Sequence, residues 1–441
     1  MTGIQLKAIR MILNPYKKNT HNLAELEFEK AQLLWNSAKE IGLCEKSSLG
    51  ANLEVTGASL APVSQLTGAV EKVLAGLHKI PEILDSTFWQ SVDEPARGSQ
   101  WQLCHDFIQA GRPISGRVRV DSVVSKVDGD NSISGLIEFE PHAGDDNTLH
   151  AVRTMYQHAQ LWDQVDQKNY LDLLAAAHRI QSPNQAGKIR IVQWDSNERT
   201  DIDYRPTSEK LLAEFRYRGL DAQQFLYDDP AADWDDALIY RIFEFSEIHE
   251  SAAQQYLIDG HNQGRFKLAN PAFVFGKLVA YFATEFSEIF QSRLGLTANE
   301  LLAFPHTFSS KEYLQSRQLQ RDYDYTRLFL KGVLSEGSGG GNDVYPLKNF
   351  GSQAEALAFI RNKTQDDVGG WILQQEVQRE RFNILQHCES TGEIHENENA
   401  GILQRQIFIN SRLIGHYNLT SSRLNQTSDV MHVESGVAVF I

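Results

Sequence analysis

The segment 328–342 constrains the fold most strongly, because an apolar run that contains Lys331 leads directly into four glycines within five positions. The run predicts a β-strand, and the residues after it predict a loop. Glycine lets backbone N–H groups approach a ligand closely, and successive N–H groups that face one concavity bind phosphate oxygens. The segment lacks the Gly-Lys-Ser/Thr ending of a P-loop and does not match the dinucleotide fingerprint. A flexible surface loop without a ligand remains the alternative.

Length and composition are typical of a soluble globular chain. The 441 residues suffice for two or three domains with sizeable cores, and 41% of them are hydrophobic. The formal net charge of −15 argues against nucleic acid or an anionic membrane surface as the main partner. Cys44, Cys104 and Cys388 are scattered along the chain, which argues for a reducing compartment and against a disulfide framework or a zinc site.

The sequence predicts neither a membrane span nor a secretory signal. The longest apolar stretch, Phe273–Ala283, is interrupted by Lys277 and is shorter than the ~20 residues that a span requires. The first residues lack the hydrophobic core of a signal peptide. We therefore expect a cytoplasmic protein.

Hydrophobic periodicity divides the first 260 residues into three parts. Residues 1–115 predict a mainly helical region, with helices near 22–42, 62–80 and 95–111. Residues 116–185 predict a hairpin followed by a long helix, with these bounds: strands Arg117–Val127 and Gly135–Glu140, helix Leu149–Gln181. Residues 186–260 predict a small α/β domain with parallel strands, because strands near 189–194, 224–227 and 238–243 alternate with a helix over 207–219.

Residues 261–441 contain the glycine-rich segment. Helices over 271–294 and 310–323 are expected before it, and a capping box at Ser352 opens a further helix after it. Strands are expected near 371–378, 402–409 and 413–420. The stretch Glu389–Asn399, rich in Glu and Asn, predicts an exposed and mobile loop.

Three carboxylates are predicted to lie on one face of the hairpin. Glu138 and Glu140 are two residues apart on a strand, so their side chains share a face. A turn centred near residues 130–131 would place Asp121 opposite Glu140. Carboxylates this close repel one another unless a cation lies among them, and their hard oxygens suit Mg²⁺. Arg119 shares the face of Asp121 and could hold a phosphate or a carboxylate. The alternative is an exposed face with solvated charges.

The order of the motifs resembles a known superfamily. Arg-x-Asp at 119–121 comes first, then Ile-Glu-x-Glu at 137–140, then Asn-Pro at 270–271 with a nearby lysine. The Leu-Lys strand with its glycine-rich loop, a Leu-Gln-Gln-Glu-Val segment and a late arginine-bearing strand follow. This order resembles the ATP-grasp superfamily, in the circularly permuted form of the glutathionylspermidine synthetase-like carboxylate–amine ligases. The resemblance runs from about residue 116 to residue 441.

The resemblance implies roles for individual residues. It implies that Asp121, Glu138 and Glu140 bind Mg²⁺, although the family pattern usually has asparagine at the position of Glu140. It implies that the nucleotide-binding lobes, residues 261–441, hold ATP through Lys277, Lys331, Gly337, Ser338, Gly339, Gly340, Gly341, Gln375, Glu376, Val377 and Arg423. Arg119 and Arg405 are implied as the catalytic cations, with Arg405 facing the transferred phosphate.

Other interpretations of these residues remain open. Lys277 could be a surface lysine of a helix, and Arg405 could be half of a cross-strand ion pair. The histidines show no helical metal-binding spacing and are interpreted as structural or substrate-side: His142, His150, His158, His249 and His306. The sequence has no Gly-x-Ser-x-Gly or Cys–His signature of a nucleophilic hydrolase.

The resemblance implies an α/β (α+β) fold with three parts: an ATP-grasp module in circularly permuted order, a small α/β domain and a helical N-terminal region. The implied activity is ATP-dependent ligation of a carboxylate to an amine through an acyl phosphate, with release of ADP. The implied cofactors are ATP and Mg²⁺. The expected partners are a small-molecule acid and amine, with no nucleic acid and no membrane. The alternatives are a small-molecule kinase on the same scaffold and a nucleotide-binding pseudoenzyme that acts as an interaction module.

Overall fold

The structure is a computed structural model. It describes residues 53–55, 64–86, 117–127, 131–140, 170–193, 205–226, 233–241, 251–269, 276–333, 344–365, 370–377, 381–388, 393–420 and 437–439, together with single positions at 33, 36, 37, 40, 88, 109, 157, 158 and 160.

Within these residues the chain forms helices and strands throughout its length. The helices are α1 (Ser64–Gly76), α2 (Tyr170–Gln181), α3 (Arg205–Tyr217), α4 (Ser251–Asn262), α5 (Leu278–Glu285), α6 (Ser287–Leu294), α7 (Ala298–Leu301), α8 (Ser310–Gln315), α9 (Leu319–Asp322) and α10 (Gln353–Gln365). The strands are β1 (Leu53–Val55), β2 (Arg117–Val127), β3 (Asn131–Glu140), β4 (Lys188–Gln193), β5 (Asp221–Leu226), β6 (Leu238–Arg241), β7 (Lys267–Leu268), β8 (Thr307–Ser309), β9 (Leu328–Gly332), β10 (Val344–Pro346), β11 (Trp371–Gln375), β12 (Arg381–Cys388), β13 (Glu393–Ile409), β14 (Arg412–Thr420) and β15 (Val437–Val439).

The strands form three sheets, and the fold is a mixed α/β (α+β) fold, as the sequence predicts. The predicted parallel strands are confirmed: β4, β5, β6 and β7 form one parallel sheet in the order β5-β4-β6-β7. Helix α3 connects β4 to β5, and α4 connects β6 to β7. The sheet is parallel because each connection is long enough to return the chain to the same end. Its central strands are buried, which explains their apolar composition: Ile189, Ile191, Leu238 and Ile239 are at most 1% exposed.

One arginine holds the amino-terminal ends of this parallel sheet together. Arg190 is only 1% exposed, and its guanidinium donates to the carboxylate of Asp221 at 2.9 Å and to the Asp233 carbonyl oxygen at 2.9 Å. The hydrogen bond from Arg190 lowers the pKa of Asp221. Arg190 therefore has a structural role, and the predicted active-site residues lie elsewhere.

The seven-stranded sheet has the order β1-β15-β14-β13-β2-β3, and β12 pairs with β13 outside this path. The predicted hairpin is confirmed as β2 and β3, which are antiparallel. Strand β13 lies between β2 and β14. The parallel pairing of β1 with β15 was not predicted, because a three-residue strand is too short to show a period of two.

The third sheet is antiparallel and has the order β10-β9-β11-β8. The strand predicted at Lys331 is confirmed as β9. One face of the sheet packs against α8 and α10, in an apolar cluster that includes Phe308, Tyr313, Leu328, Leu330, Ala356, Ile360 and Leu373. The opposite face therefore carries the alternate residues of each strand.

An extensive apolar core joins the N-terminal helix to two of the sheets. It includes Leu66 of α1, Phe282 of α5, Val120 of β2 and Ile372 of β11. The predicted helix near 62–80 is confirmed as α1 and the helical turns after it. Because α1 shares one core with β2 and α5, residues 64–83 are an integral part of the fold.

Three predicted helices are shorter than the periodicity indicated. The helix predicted over 149–181 is not continuous, because Gln160 has a left-handed φ of 58° and α2 begins at Tyr170. The helix expected over 271–294 is divided at Phe286, whose φ of −110° and ψ of 33° are not helical. The helix expected over 310–323 ends first at Ser316, which is extended. Apolar periodicity continues through these interruptions, so it does not reveal them.

The prediction of a mobile loop over Glu389–Asn399 is wrong for its second half. Strand β13 begins at Glu393 and pairs with β12 from Cys388 to Arg381. Strand pairing satisfies the backbone N–H and C=O groups irrespective of side-chain polarity. The polar composition therefore does not prevent a strand here.

Among the described residues, no helix has the length and apolarity needed to cross a bilayer.

Gly370 gives a test of how the segment at Phe88 packs against the third sheet. The φ of Gly370 is +77°, and a Cβ there would lie 2.5 Å from Cζ of Phe88. We expect Gly370→Ala to lower the free energy of unfolding by about 2–5 kcal/mol, the sum of left-handed strain and overpacking. Urea unfolding measures this loss.

Gly264 is the matched control, because its φ is +72° and its Cβ position has no heavy atom within 4 Å. Gly264→Ala should lose only the strain contribution of about 1–2 kcal/mol. Equal losses in the two variants would contradict the close packing of Phe88.

Candidate functional site

Strand β9 carries Lys331 on an inner strand of the third sheet. Leu328 and Leu330 belong to the core under α8 and α10, so Lys331 lies on the opposite face. Lys331 pairs with Ile372 on β11 and with Val344 on β10, and it is only 7% exposed. The sequence prediction of a lysine on the strand before the glycine-rich segment is therefore confirmed in position.

Lys277 reaches the end of the same strand. It immediately precedes α5, is 5% exposed, and its Nζ donates to the carbonyl oxygen of Gly332 at 3.1 Å. The six residues Leu278–Ala283 of α5 are all buried, and the burial of this helix carries Lys277 into the protein. The alternative of a surface lysine is therefore wrong.

The electrostatics at the end of β9 favour an anion. Lys277 lies at the N-terminus of α5, where the helix dipole disfavours a cation and favours a negative charge. Lys331 is the residue that precedes Gly332 on β9, and both lysines are buried. Buried charges are stable only with compensating partners. Lys277 has a partner in the carbonyl oxygen of Gly332, and the N-terminus of α5 favours negative charge nearby.

Several predicted residues lie outside the part of the chain that the structure describes. They are Gly337, Ser338, Gly339, Gly340, Gly341 and Arg423. Strand β9 ends at Gly332 and β10 begins at Val344. In the sequence the glycine-rich segment therefore lies between β9, which carries Lys331, and β10, which pairs with β9. Its role as a phosphate-binding loop stays a prediction.

Arg119, Asp121 and Arg405 form one buried cluster on the seven-stranded sheet. Arg119 Nε donates to Asp121 Oδ1 at 2.8 Å, and Arg119 Nη2 donates to Oδ2 at 3.1 Å. Arg405 lies directly across from Asp121 in the β13–β2 register, with its Nε 3.4 Å from Oδ1. All three residues are 5–6% exposed. Arg405 thus takes part in a cross-strand ion pair with Asp121.

The register of the hairpin differs from the prediction. Asp121 pairs with Glu138, and Glu140 pairs with Arg119, whereas the sequence suggested Asp121 opposite Glu140. The difference arises in the inner half of the hairpin, where Val127 pairs with Asn131, three positions away from the register of a turn centred at 130–131. A bulge between Asp121 and Ser122 reduces the difference to two positions. The bulge moves the pairing by one position in the outer half of the hairpin, and it places an arginine, not a carboxylate, opposite Glu140.

The fit of these residues to Mg²⁺ depends on Glu138 and Glu140. Both oxygens of Asp121 accept hydrogen bonds from Arg119, so Asp121 would have to exchange guanidinium contacts for a metal bond. Within the described residues, no group of three His, Cys, Asp or Glu could hold a metal ion. The side chains of Glu138 and Glu140 lie outside the described set. Metal binding by Asp121, Glu138 and Glu140 stays a prediction.

The segment Gln375–Val377 lies at the end of β11, and two of its backbone N–H groups already donate hydrogen bonds within the protein. The Gln375 N–H donates to the carbonyl oxygen of His306 at 2.8 Å, and the Glu376 N–H donates to the Arg327 carbonyl oxygen at 2.7 Å. Gln375, Glu376 and Val377 are all half-buried. Their predicted contact with adenine and ribose stays a prediction, and the two bound N–H groups are not donors for a base.

Gln374 was missed by the sequence analysis. It is 4% exposed, and its Nε2 donates to Thr307 Oγ1 at 3.4 Å. The Thr307 hydroxyl in turn donates to the carbonyl oxygen of Pro305 at 2.8 Å. A glutamine inside an apolar strand segment, Trp-Ile-Leu-Gln-Gln, was the available signal, because a buried amide requires specific partners.

Gln404 and Gln406 were also missed, and both are fully buried on β13. Gln406 Nε2 donates to Gln404 Oε1 at 2.9 Å, and Thr67 Oγ1 of α1 donates to Gln406 Oε1 at 3.3 Å. They alternate with Arg405, so they lie on the opposite face of the sheet from the arginine cluster. This polar network fixes α1 on the back of the strand that carries Arg405.

Tyr281 anchors α5 beside the lysine site. Its hydroxyl oxygen accepts a hydrogen bond from the Phe88 N–H at 3.0 Å. Burial, followed by a hydrogen bond to Glu285, raises the pKa of the Tyr281 phenol. The phenol therefore stays neutral at physiological pH and acts as a hydrogen-bonding anchor for the helix that positions Lys277.

Comparison with solved structures identifies the fold. The chain is similar to a glutathione synthetase-like effector from Globodera pallida, with a TM-score of 0.50, 12% sequence identity, and coverage of 96% of this chain and 99% of the other. It is also similar to a protein named as a gamma-glutamylcysteine synthetase from Methylobacillus flagellatus, with a TM-score of 0.41, 10% identity, and coverage of 86% and 88%. No protein-family model matches the sequence, and no curated protein sequence matches it. The first similarity establishes a fold shared with the effector.

The arginine cluster predicts the sign of a stability change. Asp121→Asn removes a buried carboxylate that pairs with Arg119 and Arg405, so we expect the free energy of unfolding to fall by about 3–5 kcal/mol in metal-free buffer. Chemical unfolding monitored by circular dichroism measures this loss.

Asp233→Asn is the matched control, because Asp233 pairs with Lys188 at 2.6 Å but its side chain is 64% exposed. This variant should change stability by less than about 1 kcal/mol. A stabilised Asp121→Asn protein would contradict the ion-paired cluster and would indicate crowded, mutually repelling carboxylates.

Proposed function

We propose that the protein is an ATP-dependent ligase that joins a carboxylate to an amine through an acyl-phosphate intermediate and releases ADP and phosphate. The observation that carries the proposal is that buried Lys331 lies on the strand that enters the glycine-rich segment, and that buried Lys277 contacts the last residue of that strand, Gly332. Two buried cations beside a glycine-rich connection suit the phosphates of a nucleotide.

The fold gives independent support. The chain shares its fold with a protein named as glutathione synthetase-like, and such a name refers to the joining of a carboxylate to an amine. The order of motifs resembles the circularly permuted ATP-grasp ligases. Under this proposal the third sheet, with Lys331 on the face opposite α8 and α10, belongs to the nucleotide-binding lobes, and Gln375–Val377 contacts the adenine and the ribose.

The arginine cluster supplies the second set of charges. Arg119 and Arg405 are held on neighbouring strands by the carboxylate of Asp121. A buried, pre-positioned guanidinium stabilises charge that develops on a transferred phosphoryl group or on a substrate carboxylate. We assign Arg405 to the phosphoryl group and Arg119 to a phosphate or carboxylate, with Asp121 fixing the orientation of both.

The first chemical step forms a bond between a carboxylate oxygen of the acid and the γ-phosphorus, and it breaks the bond from that phosphorus to the β–γ bridging oxygen. ADP leaves with the electron pair of the broken bond. Lys277 and Lys331 would stabilise the charge on the phosphates. Mg²⁺, bound by Glu138 and Glu140 in this proposal, supplies further charge neutralisation when present.

The second step is attack of the amine nitrogen on the carbonyl carbon of the acyl phosphate. A C–N bond forms, the bond from carbon to the phosphate oxygen breaks, and the amine proton passes to solvent. These steps need alignment and charge neutralisation more than a protein base. The proposed role of the chain is therefore to hold anions beside fixed cations.

Removal of one lysine charge tests the proposal. Lys331→Met should lower the rate of ADP release, measured with pools of amino acids, polyamines and small peptides, by about 10²–10³-fold, by analogy with the loss of one donor at an oxyanion site. Lys79→Met is the control, because Lys79 is exposed in the turn after α1 and should release ADP at the parent rate.

Hydroxylamine distinguishes ligation from phosphorylation of a hydroxyl group. An acyl phosphate reacts with hydroxylamine to give a hydroxamate, so the parent enzyme should form hydroxamate in step with ADP. ADP release without any hydroxamate would favour the small-molecule kinase. Failure of the parent to bind ATP or to release ADP would contradict both enzyme functions.

A further inference from the structure

We propose that Gln374 selects the base of the nucleotide, and that Thr307 orients it to accept a hydrogen bond from the 6-amino group of adenine. The inference rests on the proposed nucleotide site at Lys277 and Lys331. It assigns a specificity-determining residue and its positioning residue: Gln374 lies in the Leu-Gln-Gln-Glu-Val segment but was given no role there, and Thr307 lies outside the motifs.

Gln374 lies at the right place for a base. Lys331 pairs with Ile372 on β11, and Gln374 is two residues further along that strand. Gln374 therefore shares a face of the sheet with Lys331 and is its diagonal neighbour, at a Cα separation of about 7–8 Å. In a nucleotide the ribose separates the base from the phosphates by a comparable distance. Phosphates beside Lys331 thus bring the base close to Gln374.

The orientation of the Gln374 amide follows from proton counting. A threonine hydroxyl has one hydrogen, and the Thr307 hydroxyl donates it to the carbonyl oxygen of Pro305 at 2.8 Å. Towards Gln374 the hydroxyl can only accept, so the NH₂ group of the amide must face Thr307, as the 3.4 Å contact from Nε2 shows. The carbonyl oxygen Oε1 then faces the other way, as an acceptor.

Thr307 is itself held firmly. It is 1% exposed, and its backbone N–H donates to Thr284 Oγ1 of α5 at 3.1 Å. In the strand register Thr307 pairs with Gln374, which places the two side chains on one face of the sheet. The donors and acceptors are therefore fixed: Gln374 donates to the Thr307 hydroxyl, and that hydroxyl donates to the Pro305 carbonyl oxygen.

A fixed acceptor discriminates between purines at position 6. Adenine has an amino donor there, whereas hypoxanthine and guanine have a carbonyl acceptor. An acceptor opposite an acceptor leaves both desolvated without a hydrogen bond, which disfavours binding. The backbone N–H groups of Gln375 and Glu376 do not reverse this preference, because they already donate to the carbonyl oxygens of His306 and Arg327.

The experiment compares the dissociation constants of ATP and ITP by calorimetry, because the two nucleotides differ at position 6 of the base. The parent protein should bind ATP roughly tenfold to a hundredfold more tightly than ITP. Thr307→Val keeps the shape of the side chain and removes the hydroxyl, which frees the amide to rotate and present its NH₂ group. The ATP-to-ITP preference should then fall towards one.

Two further variants serve as controls for the hydroxyl group and for the acceptor. Thr307→Ser retains the hydroxyl and should retain the preference of the parent protein, whereas Gln374→Met removes the acceptor and should lose the preference. Thermal midpoints of all variants show whether each is folded, and a merely structural role for Thr307 would not change the ratio between two nucleotides.

The outcomes separate the inference from the function on which it rests. A parent protein that binds ATP and ITP equally, or equal preferences in the valine and serine variants, would overturn the role of Gln374 and Thr307 while leaving the nucleotide site intact. Binding of neither nucleotide by the parent would overturn the proposed function, and the base selection with it.

Discussion

The contact between Lys277 and the carbonyl oxygen of Gly332 is the interaction on which the proposed site depends. It joins the N-terminus of α5 to the end of β9, and it holds a second buried lysine at the residue that follows Lys331. The contact exists because α5 is apolar along most of its length and is buried in the core shared with α1 and β2. The hydrophobic core thus holds a lysine where the helix dipole alone would disfavour it.

The same core determines the position of the arginine cluster. Val118 and Val120 face the core from β2, so Arg119 and Asp121 lie on the other face of that strand. On β13 the buried amides of Gln404 and Gln406 take the core side, and Arg405 takes the side of Asp121. The alternation of strands therefore separates a structural face from a charged face, and the charged face carries the residues that we assign to phosphoryl transfer.

The sequence revealed most of the elements with a strong local pattern. The hairpin of β2 and β3, the parallel sheet and strand β9 were all predicted, because alternating residues and turn signals act over short distances. The pairing of Asp121 with Glu138 was not predicted, because the inner half of the hairpin pairs Val127 with Asn131 and a bulge then changes the register without changing the sequence pattern. The pairing of β1 with β15 joins residues nearly four hundred positions apart and depends on tertiary contacts.

The candidate site, like the fold, was predictable from the sequence only in part. Arg119 and Lys331 were selected from their positions on predicted strands, and Lys277 and Arg405 from the resemblance of the motif order to a known superfamily. Their mutual contacts required the structure, which shows that Asp121 binds two arginines. The direction of the Gln374 amide was also beyond the sequence, because it follows from the hydroxyl of Thr307 and the carbonyl of Pro305.

The most direct test of the central claim is calorimetric titration of the protein and of Lys277→Met with ATP and with adenosine. If the buried lysines bind the phosphates, the parent protein binds ATP far more tightly than adenosine, and Lys277→Met loses most of that difference while its affinity for adenosine is retained. Equal affinity of the parent protein for ATP and adenosine, or an unchanged difference in Lys277→Met, would contradict a phosphate site at the end of β9.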